Sequence, residues 1–341
     1  MAVPPRIDIR SVTELTELAD YIVPFAIRVA CDLKLADQLV AGPRPVRELA
    51  LATGTSEQPL ARLLRALATR GVFAETEPDT FELTPLAQPL RADHPFSVQE
   101  CFPLMPPDIR SWARLTDSIR TGDTSFERLH GHHYYVHFAD EPVDCVRFER
   151  SAESVNPLVL RTVLPFVDFS AIGSMVDVGG GHGTFLAGVL TRYPNMRGVL
   201  FDLPHVVAEA PAILADAGVA DRCETVGGSF FDEVPSGADG YLLKTILHDW
   251  DDERAAAILR RVRAAMRPDS RIFVVESVRQ PGNGQDVGKV MDVKALALFG
   301  GHTRDQAQFE ALLDGVGLVM TDLIRTTTMS VVVAARRQDD N

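Results

Sequence analysis

Several short segments of this 341-residue chain place acids, glycines and a histidine at spacings that do chemistry. In Val176-Asp-Val-Gly-Gly-Gly-His-Gly-Thr184 an apolar run ends in Asp177 and then in glycines at 179, 180, 181 and 183. Glycine adopts positive φ and lets the backbone approach a bound molecule without an intervening Cβ. The segment therefore reads as a strand turning sharply into a helix beside a ligand. Nineteen residues past Gly183 the apolar run Gly198-Val-Leu-Phe-Asp-Leu-Pro204 ends in Asp202 and Leu203. A carboxylate at the tip of the second strand accepts the ribose hydroxyls of a nucleoside. Taken alone, Asp202 fits a turn before a proline equally well. Val226–Asp232, with Ser229 and Phe230, reads as a loop that flanks an adenine ring. The glycine spacing is G-x-G-x-G, and Thr184 falls where a dinucleotide fingerprint needs its last glycine or alanine. That favours S-adenosylmethionine, whose amino-acid end carries no pyrophosphate, with Asp177, Gly179, Gly181, Gly183, Asp202, Leu203, Ser229 and Phe230 as its contacts.

Acid–base chemistry has a candidate in Tyr241-Leu-Leu-Lys-Thr-Ile-Leu-His-Asp-Trp250, a strand running into a turn. Histidine, with an unperturbed pKa of about 6.5, suits proton removal near neutrality. His248 is the expected base, and Glu276, at the end of the strand Arg271–Ser277, is expected to hold its other ring nitrogen. Asp249 lies beside the site, and Asp292 is expected to contact the acceptor. His302 opens a second option, in which two histidines and a further oxygen ligand bind a metal. A metal site needs three or more ligands, so His302 is expected to face substrate and no metal is expected.

These segments need a frame. Alternating strands and helices from about 172 to 335 imply a parallel, doubly wound α/β sheet with ligands at the strand C-termini, a Rossmann-like arrangement. Three regions are expected: a helical winged-helix domain over 1–95, a linker and pocket roof over 96–165, and the cofactor-binding domain over 166–341. In the first, Val12 to Ala41 has helical spacing broken at Pro24. Pro45 to Arg70 reads as helix-turn-helix, and Gly71–Glu75 with Thr80–Thr84 as a two-stranded wing. The second is rich in aromatic and histidine residues, among them Trp112, His130, His132, His133, Tyr134, Tyr135 and Phe148. Such walls suit a flat aromatic acceptor, with Trp112 and Phe148 as expected contacts.

Composition narrows the partners. With 34 basic against 47 acidic side chains the net charge is −13, which argues against nucleic acid or an anionic membrane. A winged helix raises the rival of a DNA-binding regulator, with Arg62, Arg65 and Arg70 in its favour. Residues 43–93 nevertheless hold six Arg and no Lys against seven acidic residues, without the basic stripe that phosphate contacts require. No apolar run reaches the ~18 residues of a membrane span, and Met1–Arg10 has no signal-peptide core. The four cysteines show neither disulfide nor metal spacing, as expected in a reducing cytoplasm.

The motifs VDVGGGHG (176–183), FDLP (201–204), GGSFFDEVP (227–235), LKTILHDW (243–250), VVES (274–277) and GGHTRDQAQFEALLDGVGL (300–318) together resemble the class I S-adenosylmethionine-dependent O-methyltransferases of the plant caffeate and bacterial hydroxyneurosporene type. The resemblance covers nearly the whole chain and points to bacterial enzymes that methylate aromatic natural products. It implies a homodimer formed through the N-terminal domain, a cofactor contact at Lys244, and His248 as base. Two positions depart from the family. Thr303 stands where plant enzymes carry a second orienting glutamate, and it can hydrogen-bond substrate without holding an imidazolium. Ser229 stands where an aspartate usually accepts from the adenine amino group. Same-fold chemistries therefore stay open: metal-assisted C-methylation of a 2-oxo acid, or hydroxylation or decarboxylation with the cofactor retained.

Overall fold

A computed structural model describes residues Ile9–Arg337, which form two units, one ending at Leu104 and the other starting at Met105. The N-terminal unit begins with the helices Ile9–Ala19 and Ile22–Asp32. The break expected at Pro24 falls instead at Asp20 and Tyr21. The Asp20 carboxylate accepts from the Ile22 N–H at 2.8 Å, and Pro24 sits in the first helical turn, where it has no intrahelical bond to lose. Helices Val46–Thr53 and Glu57–Ala68 follow, and Gly54 ends the first of them in the left-handed conformation. The wing contains β2 (Phe73–Glu77) and β3 (Thr80–Leu83), joined by a third strand, β1 (Arg44–Pro45), in the order β1-β3-β2. Leu35, Leu49, Leu64, Leu67 and Phe81 are fully buried at the centre of this unit.

The first helix is the exception to that packing. It buries none of its residues, and Ile9, Val12, Leu15 and Leu18 are 60–83% exposed along one stripe. Arg65 is bound to Glu75 at 3.4 Å and to Asp79, and Arg70 to Glu17 at 3.0 Å. Two of the three arginines that favoured a DNA-reading helix are thus engaged with carboxylates.

In the second unit seven strands form one sheet: β4 (Ser174–Val178), β5 (Arg197–Asp202), β6 (Cys223–Gly227), β7 (Gly240–Lys244), β8 (Arg271–Glu276), β9 (Leu318–Arg325) and β10 (Ser330–Arg336), ordered β6-β5-β4-β7-β8-β10-β9. The first five are parallel. The last two depart from the expected all-parallel sheet: β10 runs antiparallel to both β8 and β9. Four residues, Thr326–Met329, connect β9 to β10, and Thr326 N–H donates to Met329 O at 3.2 Å. A link this short joins only antiparallel strands. Strand order reverses between β4 and β7, and the crevice above their C-terminal ends is where such sheets bind ligands.

Both faces of the sheet are covered. Helix Asp252–Ala265 packs Ile258, Leu259 and Val262 with Val176, Tyr241 and Phe309 on one face. Helix Thr184–Arg192 packs Phe185, Leu186, Val189 and Leu190 with Leu200 and Leu242 on the other. A smaller aromatic cluster, Phe126, Tyr134, Phe138, Leu298 and Phe299, joins the helices between 125 and 140 to helix Val287–Leu298. Large-to-small changes at such sites cost about 2–5 kcal/mol. Leu64→Ala is expected to lower the urea midpoint of the N-terminal unit accordingly, while Leu51→Ala, at an 86% exposed position, leaves it unchanged.

Candidate active site

The turn that follows β7 is held by backbone contacts from two charged side chains. Thr245 opens it with φ of 56°, a left-handed conformation that a β-branched residue adopts only when its surroundings impose it. Glu276, at the end of β8 and 1% exposed, accepts from three successive N–H groups through Oε1: Ile246 at 3.0 Å, Leu247 at 2.6 Å and His248 at 3.3 Å. Arg304, also 1% exposed, meets the carbonyls on the other side: Nη1 donates to Leu247 O at 2.8 Å and Nη2 to Trp250 O at 3.0 Å. Its Nε and Nη2 also bind Asp252 Oδ1 at 2.9 and 2.8 Å. Gly301 completes the fit, because a Cβ there would lie 2.3 Å from His248 O and 2.4 Å from Trp250 N.

Held in this way, His248 lies between two carboxylates. Its Nε2 is 3.1 Å from Asp249 Oδ1, a charge contact and not an aligned hydrogen bond, and its Nδ1 is 3.8 Å from Glu276 Oε1. The sequence had Glu276 binding that ring nitrogen; the distance is too long for a hydrogen bond, and the carboxylate is committed to the turn backbone. Burial alone would push the imidazole pKa down, but Asp249 and then Glu276 outweigh it and hold it up at about 9, with Lys294 acting against them. Burial raises Glu276, opposed by the charges of His248 and Arg304.

Beside this turn, Gly179, Gly181 and Gly183 all have positive φ, and a Cβ on Gly179 would lie 2.5 Å from Ile246 Cδ1. Asp202 caps the loop, its Oδ2 accepting from Gly181 N–H at 2.8 Å and its Oδ1 from Leu203 N–H at 2.6 Å. Asp177 is 1% exposed, and neither carboxylate oxygen has a hydrogen-bond partner. Burial raises its pKa to about 7, with the charge of Lys244 opposing. Burial likewise lowers Lys244, whose first counter-charges are Asp177 and Glu153. Phe230 borders Gly179, while Ser229 Oγ accepts from Phe231 N–H at 3.2 Å. An orphaned buried carboxylate next to a loop too tight for side chains fits a ligand that brings its own cation.

The roof residues divide. His133 stacks on Trp250 at 4.8 Å and 5° and bonds through Nε2 to Phe299 O at 2.8 Å. Tyr135 donates to Asp249 Oδ2 and stacks on Trp250 and Phe299. Phe148 stacks on Phe138 at 4.7 Å. Trp112 is 40% exposed at the end of helix Pro106–Trp112.

Three expected acceptor contacts are placed otherwise. The Thr303 hydroxyl donates to Gly288 O at 3.0 Å, and the residue is buried. Asp292 accepts from Thr303 N–H at 2.8 Å and faces Arg279 at 3.6 Å. His302 turns to Asp252 at 3.4 Å, and burial lowers its pKa. Among the described residues no group of three or more His, Cys, Asp or Glu is arranged for a metal.

Some contributors carried no sequence signal. Glu153, on helix Pro142–Ser154, accepts from His182 N–H at 3.2 Å and from Asn156 Nδ2 at 2.9 Å, reaching the glycine loop from above. Arg304 stood out only as the residue after Thr303.

Comparison with known proteins gives the family. Residues 16–93 match the O-methyltransferase dimerisation domain and residues 112–319 the O-methyltransferase domain. The chain is similar to the phenazine O-methyltransferase PhzM of Lysobacter antibioticus, 38% identical over 94% of this chain and 95% of that one. Among solved structures, LaPhzM superposes with a TM-score of 0.91 at 37% identity, covering 97% of this chain and 100% of that one. The neocarzinostatin-biosynthesis O-methyltransferase NcsB1, solved with S-adenosylmethionine and 2-hydroxy-5-methyl naphthoic acid, superposes at 0.81 with 31% identity over 97% and 99%.

Removing one partner from a buried charge network costs about 3–5 kcal/mol. Arg304→Ala is expected to lower stability by that amount, read as the thermal unfolding midpoint; a change below about 1 kcal/mol would contradict the clamp. The His248 imidazole is held above its unfolded value, so its stabilising contribution is complete below about pH 6.5 and fades as pH rises through about 9. His248→Gln is therefore expected to flatten the fall in urea midpoint between pH 7 and 9.

Proposed function

The chain belongs to the O-methyltransferase family and uses S-adenosylmethionine, and on that premise we propose that it methylates a hydroxyl of a flat aromatic natural-product acceptor, with His248 as proton acceptor. The observation that carries this reading is the imidazole held between Asp249 and Glu276 beside the glycine loop, beneath Tyr135 and Trp250. The relatives' acceptors, phenazines and a naphthoic acid by name, are planar and aromatic.

S-adenosylmethionine supplies a methyl group on a sulfonium, already a good leaving group. Asp177, Gly179, Gly181, Gly183 and Asp202 would hold its amino-acid and ribose portions, Leu203, Ser229 and Phe230 would border the adenine, and Lys244 would complete the cofactor contacts. Phe148, Trp112 and the aromatic cluster form the acceptor side, and Asp249 flanks it. On this reading 1–95 serve dimerisation, 96–165 the roof and 166–341 cofactor binding. Alignment of oxygen and methyl carbon supplies most of the acceleration, roughly 7–11 kcal/mol in favourable intramolecular systems. Proton removal adds typically about 10²–10⁴-fold.

At pH 7 an imidazole with a pKa of about 9 is mostly protonated, so the base-competent fraction grows with pH. Initial rates are expected to rise from pH 7 toward 9. The test is mass-spectrometric detection of transfer from methyl-labelled S-adenosylmethionine to a panel of catechols, anthraquinones, phenazines, flavonoids and 2-oxo acids, with and without chelator. A labelled phenol formed equally in both arms supports the proposal, and label on carbon only with metal overturns it. His248→Ala is expected to slow transfer and remove the pH rise without abolishing turnover; a loss beyond ~10⁴-fold would exceed the proximity-led account.

The exposed stripe Ile9, Val12, Leu15 and Leu18 lies on the first helix of the unit that matches the dimerisation domain, and a second copy of the chain is its proposed cover. Light scattering is expected to give a dimer for the wild type and a monomer for Leu15→Glu/Leu18→Glu. Equal masses would refute that assignment. The engaged Arg65 and Arg70 and the net charge of −13 support an assembly without nucleic acid. Four free cysteines are in keeping with a reducing cytoplasm.

A further inference from the structure

A second carboxylate for the imidazole is missing where the family's plant members carry it. Thr303 occupies that position, and its hydroxyl is turned to Gly288 O. Asp249 fills the gap from a different direction. Its Oδ1 is 3.1 Å from His248 Nε2, and that oxygen has no aligned hydrogen-bond donor in the buried site. A carboxylate held through one oxygen by a charge contact alone is not fixed in direction unless its other oxygen also has a partner. The Tyr135 hydroxyl holds it by donating to Asp249 Oδ2.

We propose that Tyr135 is a positioning residue: from helix Tyr134–Asp140 it fixes Asp249 against His248 Nε2, so that Asp249 supplies the second anionic partner of the imidazole. This rests on the reading of His248 as proton acceptor.

Tyr135 is itself immobilised. Its ring stacks on Trp250 at 5.8 Å and Phe299 at 6.2 Å and meets Phe148 edge-on at 5.7 Å. One residue before the same helix, His133 stacks on Trp250. The roof and the turn therefore share one packed unit, and the hydroxyl is delivered to Asp249 by a ring with little freedom left. Burial and then the Asp249 charge push the phenol well above its usual pKa, so it remains a donor across the working range. The charged groups that act on His248 from packed elements are Glu276 from β8 and Lys294 from helix Val287–Leu298; Asp249 acts also on Lys244, and Arg304 on Glu276. None of these duplicates Asp249 at Nε2. A proton arriving on Nε2 is then stabilised by Asp249 on that side and by Glu276 on the other.

The test follows the His248 imidazole by nitrogen-15 NMR in the full-length protein without ligand, assigned by loss of its signal in His248→Gln. Titrations of wild type, Asp249→Asn, Tyr135→Phe and the double variant form a cycle. Asp249→Asn is expected to lower the His248 midpoint by about one pH unit or more when Tyr135 is present, and by less than about half as much in the Tyr135→Phe background. Equal shifts in the two backgrounds, or no shift, would overturn the proposal. Both substitutions keep the side-chain shape, and thermal midpoints confirm that each variant is folded. The pH profile of methyl transfer to an acceptor found in the panel separates the two readings. An unchanged profile in His248→Gln removes the base assignment and the proposal with it. A flattened profile with equal NMR shifts leaves His248 as base and removes Tyr135 alone.

Discussion

The site depends on one constraint: a six-residue stretch of backbone, from Thr245 to Trp250, must leave the sheet and stay largely covered with only the single 3-10 turn Leu247–Asp249 as secondary structure of its own. Buried N–H and C=O groups need partners, and here two ionised side chains of opposite sign provide them. Glu276 collects three N–H groups and Arg304 two carbonyls. Taking two charges out of water is costly, so the arrangement gains little net stability from their attraction. What it secures is geometry. The positive φ of Thr245, the close approach of Gly301 and the start of helix Asp252–Ala265 are all consistent with one path of the chain. The direction of the His248 ring follows from that path.

The sheet supplies the second half of the site by topology. β4 and β7 are neighbours whose connections leave in opposite directions, so the glycine loop after β4 and the turn after β7 open onto the same crevice. Into it the chain places Asp177, Asp202, Glu153 and Lys244, of which Asp177 lacks any donor. A zwitterionic ligand with an ammonium group answers that unpaired acid better than a neutral one does.

What the sequence made legible was local. Glycine spacing, an acid at a strand end and the His-Asp-Trp turn each carry their meaning within ten residues, and the parallel core of the sheet followed from the alternation of strands and helices. What it left illegible was set by packing across long separations. Glu276 is at the expected strand end, yet its carboxylate serves the backbone, because three N–H groups converge on it and the ring does not. Thr303, Asp292 and His302 look like pocket residues by position, but neighbours at Gly288, Arg279 and Asp252 capture their side chains. Tyr135 was one aromatic among many, and only the fold brings its hydroxyl across 114 positions to Asp249. β9 escaped notice because its edge position leaves half of it exposed, and a mixed burial pattern blurs the apolar signal.

The clamp has a consequence for how such a site tolerates change. Glu276 and Arg304 bind peptide groups, which every residue carries, and not the side chains at 248 and 249. Substitutions of the side chains at those two positions remove none of these contacts to the turn backbone, whereas those at 276 or 304 remove them and a side chain at 301 collides with that backbone. With the roles proposed for His248 and Asp249, reactivity and architecture are encoded at different positions. A lineage drifting through sequence space could exchange the reactive pair for another and keep a folded, cofactor-ready scaffold, because inheritance of the frame does not require inheritance of the chemistry.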